Sequence, residues 1–239
     1  MEKVIIILRG TPGDEGWCTR LRTDVAQKLL DTGAPGVAIN VRDAVVSDAL
    51  MTLTTLNPPV TAFVSLWTDQ CYGEQIRAAI ALLSEVCEQF AAYLVTESVP
   101  LTPPHTDPGQ RTPGFANVAL LRRPVELDQA TWLARWHNDH TQVAIETQST
   151  FGYTQNAVVR ALTDESPPIS AIVEELFPIE ASSDLRVFFS ASDDADLQHR
   201  MARMVASTSA FVDNRDVDTV PTSRYVLRSA FASRATLQP

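Results

Sequence analysis

Long hydrophobic runs are missing from this 239-residue chain, as are paired cysteines, glycine-rich phosphate loops and basic clusters. The first strongly apolar stretch, Val4 to Leu8, runs straight into Arg9 and Gly10, far short of the ~20 residues a membrane helix needs. The amino terminus also lacks the layout of a signal peptide. These absences predict a cytoplasmic protein with no membrane partner. Cys18, Cys71 and Cys87 stand far apart, with no CxxC and no Cys/His cluster. That spacing argues against a structural zinc site and predicts free thiols, with no metal bound. Formal net charge is −10, and the densest basic stretch is only Arg122-Arg123. Binding to nucleic acid needs a basic face that displaces counterions from phosphates, so that partner is excluded. Gly10-Thr11-Pro12-Gly13 follows a strand-like run but lacks the Lys-Ser/Thr ending and the GxGxxG pattern, and no GxSxG elbow occurs. Nucleotide cofactors and serine-hydrolase chemistry are therefore disfavoured. Asp193, Asp194 and Asp196 lack calcium-loop spacing and read as charges favoured at a helix amino terminus.

What is present is an ordinary globular composition, 45% apolar and 20% charged, in a repeated order of elements. Val4–Leu8 has strand character, residues 14–30 a helix closed by Gly33, and residues 36–41 and 61–66 two more strands. Apolar residues from Ile76 to Leu94 recur at spacings of three and four, which predicts a helix over 70–92 followed by a short strand at 93–99. The prolines between 101 and 113 predict an extended linker, with His105 in solvent. The order then restarts. Residues 117–121 form a strand, Asp128 caps a helix running to about 147, and 153–160 and 171–176 are strands. A short helix at 182–189, a longer one carrying Leu197, Met201 and Met204, and a last strand at 224–228 complete it.

The economical description is α+β: tandem ferredoxin-like βαββαβ units over 1–100 and 115–239, joined by a linker at 101–114. Such a unit leaves one sheet face bare, so the two units are expected to pack sheet to sheet as a dimeric α/β barrel within one chain.

The second unit resembles the EthD domain family of the dimeric α/β-barrel superfamily. The likeness rests on Trp132, Trp136 and His140 in one helix, Tyr153-Thr154-Gln155-Asn156, Ile172 through Phe177, and Phe211-Val212-Asp213. The first unit departs from it, with Val25 at the position of His140 and Ser65 at that of Glu174. The resemblance implies binding of a small apolar or aromatic molecule in an oxidoreductase or catabolic setting, and a homo-oligomer is compatible with it. Trp132, Trp136 and His140 share a helical face at i, i+4 and i+8. His140 and Glu174 are thus the candidate catalytic pair, with Trp132, Trp136, Tyr153, Gln155, Asn156 and Leu176 as ligand-binding candidates. His137 is expected to face solvent or a subunit contact, and His199 to lie in solvent. No cofactor is implied, except that His140 as an axial haem ligand is a weaker alternative. A filled, non-catalytic barrel is the rival reading, in which His140 is a core histidine with a hydrogen-bond partner.

Overall fold

The computed structural model describes residues 1–11 and 13–231, so residues 232–239 of the second unit, and Pro12 in the Gly10–Gly13 loop, lie outside the described residues. Eight antiparallel strands close into one barrel. In chain order they are β1 (Glu2–Arg9), β2 (Gly36–Val41), β3 (Val60–Thr68), β4 (Gln89–Leu101), β5 (Phe115–Leu121), β6 (Gly152–Ala161), β7 (Ala171–Phe177) and β8 (Val217–Arg228). Around the barrel the order is β1-β3-β2-β8-β5-β7-β6-β4, so each half of the chain supplies four neighbouring strands. The two sheets do more than face each other. Their edges pair, β2 with β8 and β4 with β6, which leaves no free edge to manage.

Alternation along each strand divides the side chains into two sets. Ile5, Ile7, Phe63, Tyr93 and Val95 from the first half meet Val118, Leu120, Ile172 and Val220 from the second inside the barrel, which they fill. Outside, Val4, Ile6, Leu8, Val37, Ile39 and Leu66 pack under the first-half helices. These are α1 (Glu15–Arg20), α2 (Ala26–Asp31) and α3 (Glu74–Ser84), with the wide π turn Leu21–Val25 joining α1 to α2. The second half has α4 (Gln129–Ala134), the π turn Arg135–His140, α5 (Thr141–Thr147), α6 (Leu185–Phe188) and α7 (Asp194–Ser209). Asp128 caps α4 by accepting from the Thr131 amide, as its sequence position predicts.

Two expectations fail for the same reason. The helix expected over 70–92 stops at Ser84, and Gln89–Leu101 is a strand. Ladders to β1 on one side and β6 on the other outweigh the helical spacing of Phe90 and Leu94. Likewise β8 starts at Val217 rather than 224. Pro221 sits within it because the edge to which its missing N–H would point is unpaired there. Thr219 donates on that edge to Leu53, and the β2 ladder begins only at Ser223. The expected helix at 182–189 is shorter, with a 3₁₀ turn at Ile179–Ser182 before α6.

Residues 102–114 form neither helix nor strand, and His105 is exposed, as expected. The segment is nonetheless held, since the Gly109 and Thr112 amides donate to the carbonyls of Val226 and Arg224. Because two strand ladders and a shared interior join the halves, a chain cut between Pro104 and Asp107 should still run as one species on gel filtration. Two separately eluting halves would contradict the shared core.

Candidate functional site in the helix–sheet layer of the second half

The helix carrying Trp132, Trp136 and His140 lies on the outer face of β5, β6 and β7. All three side chains are buried, at 2%, 0% and 6% exposure, so the shared face read from the sequence exists. The π turn brings Trp132 and Trp136 to 5.2 Å between ring centroids, and His140 to 4.7 Å from Phe211. His140 Nδ1 lies 3.0 Å from Ser207 Oγ of α7. Thr141 donates to the Trp136 carbonyl and accepts from Gln155 Nε2 at 2.7 Å, tying the helix to β6. His137 is half-buried against Trp136 at 4.5 Å, and its Nε2 has no partner. The first half also has a π turn, Leu21–Val25, whose buried residues are Leu21 and Val25. The wide turn thus occurs in both halves, and in the second its buried residues are Trp136 and His140.

Strand parity splits the residues singled out in the sequence. Tyr153 and Gln155 point outward to the helix. Thr154, Asn156, Glu174 and Leu176 belong to the interior face, so Glu174 and Asn156 do not meet His140. Glu174 instead pairs with Arg224 at 2.8 Å, and Asn156 donates to the Ile172 carbonyl at 3.0 Å. The carboxyl that shares the layer with His140 is Glu175, which stands between Val173 and Phe177 on the outward face. Glu175 is flanked in register by Tyr153 on β6 and Asn117 on β5. Glu175 and Asn117 were not anticipated. The usable signal was parity, since Tyr153 and Glu175 must share a face once β6 and β7 are paired.

This row, Tyr153–Glu175–Asn117, is 1%, 7% and 3% exposed. The same row in the first half is Val37–Leu66–Val4. The row is thus three aliphatic side chains in the first half and a phenol, a carboxyl and an amide in the second. Glu175 Oε1, Asn117 Oδ1, Trp132 Nε1 and Trp136 Nε1 are buried without hydrogen-bond partners, and among the described residues no such atom lies in residues 1–100. Burial pushes the Glu175 carboxyl up to about 8 and the His140 imidazole down to about 4. Burial and the nearby Glu175 raise the Tyr153 hydroxyl as well. Surface grooves of about 350 and 510 Å³ touch the layer at Trp132 and Phe211, but neither is lined by Asn117, Tyr153, Glu175 or His140.

A haem held by His140 would need a plane-sized slot beside its ring. Phe211 packs against the ring instead, with Trp132 against Phe211, and Nδ1 is taken up by Ser207, so the residues do not fit that group. Among the described residues no group of His, Cys, Asp and Glu could hold a metal ion, and no helix is long and apolar enough to cross a membrane.

No family profile matches the chain, and no curated protein matches it. Solved structures do. An anthrone oxidase-like protein aligns over 97% of this chain and 96% of its own, with TM-score 0.54 and 10% identity. A candidate monooxygenase from Lactobacillus acidophilus NCFM aligns over 95% and 96%, with TM-score 0.51 and 10% identity. Another, from Fusobacterium nucleatum subsp. nucleatum, aligns over 95% and 93%, with TM-score 0.52 and 10% identity. The likeness is one of fold. It extends over nearly the whole chain, so the closed barrel with outer helices is an architecture those proteins share.

The two perturbed groups give opposite pH dependence. Glu175 titrates higher folded than unfolded, so its contribution to stability is complete below about 4.5 and lost as pH rises through about 8. His140 titrates lower when folded. Its contribution is complete above about 6.5 and lost as pH falls through about 4. Melting temperature should therefore fall on both sides of a maximum in mildly acidic solution. Glu175→Leu should flatten the alkaline limb and His140→Val the acid limb, and unchanged limbs would show that these residues do not carry the effect.

Proposed function

We propose that the protein binds a small apolar or aromatic organic molecule in the helix–sheet layer of its second half and moves a proton on it without a cofactor. The observation that supports this most is the polar row itself. Leu66 and Val4 fill the matching places in the first half, so the fold does not need Glu175 and Asn117 there. Unpartnered buried polar groups cost about 1–3 kcal/mol each, and functional sites are where such costs are commonly kept. We read the chain as two ferredoxin-like units, the second EthD-like and loaded with side chains for chemistry, the first retained as scaffold. An oxidoreductase or catabolic role is in keeping with the names carried by the proteins of like fold, although shared fold alone does not set function.

At neutral pH the layer holds an acid and a base. Glu175 keeps its proton, and His140 stays unprotonated. Environments that push two titrating groups apart in this way assign their roles: the carboxyl donates to a developing oxyanion, and the imidazole accepts from carbon or hydroxyl. Dehydration, isomerisation and ring closure all need such an exchange. Trp132 and Trp136 would form the aromatic wall, while Gln155 and Tyr153 hold the floor. Glu174, Asn156 and Leu176, on the other face of the sheet, serve the barrel interior.

The test is the double variant His140→Val with Glu175→Leu, which reproduces the first-half residues Val25 and Leu66. Turnover or binding found in a screen of aromatic compounds should vanish while the melting temperature holds or rises. Full activity in the double variant, or a large stability loss in each single variant with no ligand detected for the wild type, would refute the reading. Absorbance of the purified protein should show no Soret band.

A further inference from the structure

The row Asn117–Glu175 lies between two aromatic groups. Along the strands on one side is the stack of Phe115, Phe177 and Phe188, with centroid distances of 5.6 and 4.3 Å. On the other side are Trp136, Trp132 and Phe211, which share a cluster with Ala119 and Val173. Met204 of α7 packs against both groups and so spans the row, and Ser207 of the same helix holds His140. The helix over the row is unusual. In the first half α3 buries Ile76, Ala79 and Leu83 against strands. By contrast α7, 16 residues long, has no buried residue and packs chiefly on α5, α6 and the π turn. Phe188 and Phe189, from the segment inserted between β7 and α7, pack below it and keep it off the sheet. A helix with so little buried area belongs to the part of a structure that opens most readily.

The unpartnered atoms of the row also describe what it would hold. Asn117 Oδ1 can only accept. Glu175, holding its proton, can donate as well as accept. A hydroxyl is the group that can donate to the first and accept from the second, which a ketone or an ether cannot. Aromatic walls on both sides suit a flat ring. The cations of α7 are already engaged, Arg200 with Asp196 and Arg203 with Glu146, so nothing there compensates a charged ligand.

Resting on the function proposed above, we infer that the Asn117–Glu175 row is a subsite for a flat, uncharged hydroxyaromatic compound, reached by displacement of α7. The experiment titrates 2-naphthol, naphthalene and 2-naphthoate into the full chain and follows tryptophan fluorescence. Wild type should bind 2-naphthol at least about tenfold tighter than naphthalene, as expected for one or two added hydrogen bonds, and should not bind naphthoate. Asn117→Val with Glu175→Leu copies the first-half pair and should fold. It should bind both neutral probes equally, through loss of naphthol affinity alone. Glu175→Gln, which keeps a neutral donor and acceptor at the same place, should retain most of the preference for naphthol. Naphthalene binding with no preference for naphthol, a preference that survives in the Asn117→Val, Glu175→Leu variant, its loss in Glu175→Gln, or preferred binding of naphthoate would overturn this inference and leave aromatic binding standing. Binding of none of the probes would remove both.

Discussion

Closure of the barrel is the constraint on which the rest depends. An open sheet with helices on one side buries one face of each strand and wets the other. Once β2 pairs with β8 and β4 with β6, strands β1, β2, β5 and β7 are buried almost throughout on both faces. Their residues are then committed by parity to one of two dry environments. Ile5 and Ile7 fill the interior while Val4, Ile6 and Leu8 meet the helices. Neighbouring residues in sequence thus live in compartments that never touch. Glu174 and Glu175 are adjacent carboxyls with different partners, different surroundings and different chemistry, and only the pleat separates them.

The same constraint explains what was readable in the sequence. Strand β2 was expected at the residues where it is found, and Asp128 caps the helix as its spacing predicts. The alignment of Trp132, Trp136 and His140 on one face followed from helical periodicity alone, and the π turn preserves it. The carboxyl partner could not be chosen that way. In Ile172-Val173-Glu174-Glu175-Leu176-Phe177 both parities are apolar on either side of an acid, because both faces are buried. Hydrophobic alternation then carries no information about which glutamate faces the helix. Register to Tyr153 carries it, and register is a property of the folded sheet. The strand expected at 93–99 lies within β4, but the start of β4, residues 89–92, was misread as helix for a related reason. Its residues satisfy a helical and a strand pattern together, and two long-range ladders, invisible locally, decided between them.

The chain buries charge in two different ways, and the contrast bears on where chemistry belongs. At one end of the barrel interior, Lys3 pairs with Glu97 and lies over Trp67 at 4.6 Å, while Arg224 pairs with Glu174. Burial lowers the Lys3 ammonium, but Glu97 draws it back toward the charged form. Paired charges of this kind fix geometry within each half, since each ion is held by its counterion. They have little capacity left for a substrate. The helix–sheet layer is the opposite case. Glu175 has no cation and Asn117 Oδ1 no donor, and His140 is held only by a serine hydroxyl.

A group that lacks a partner keeps its hydrogen-bonding capacity, and the cost of leaving it so falls on the stability of the whole fold. The first half shows the cheaper arrangement in the same molecule, with the same π turn, the same strand order and aliphatic side chains along the row. Two halves with the same strand order under one set of packing rules allow a comparison within the chain. What differs between them is not required by the barrel. Along this row the second half has Asn117 and Glu175 where the first has Val4 and Leu66. Such a difference is hard to attribute to drift in packing, which would leave replaced residues as apolar as their neighbours. Buried polar groups that the barrel does not require, kept at a cost in stability, are the observation on which the proposed function rests.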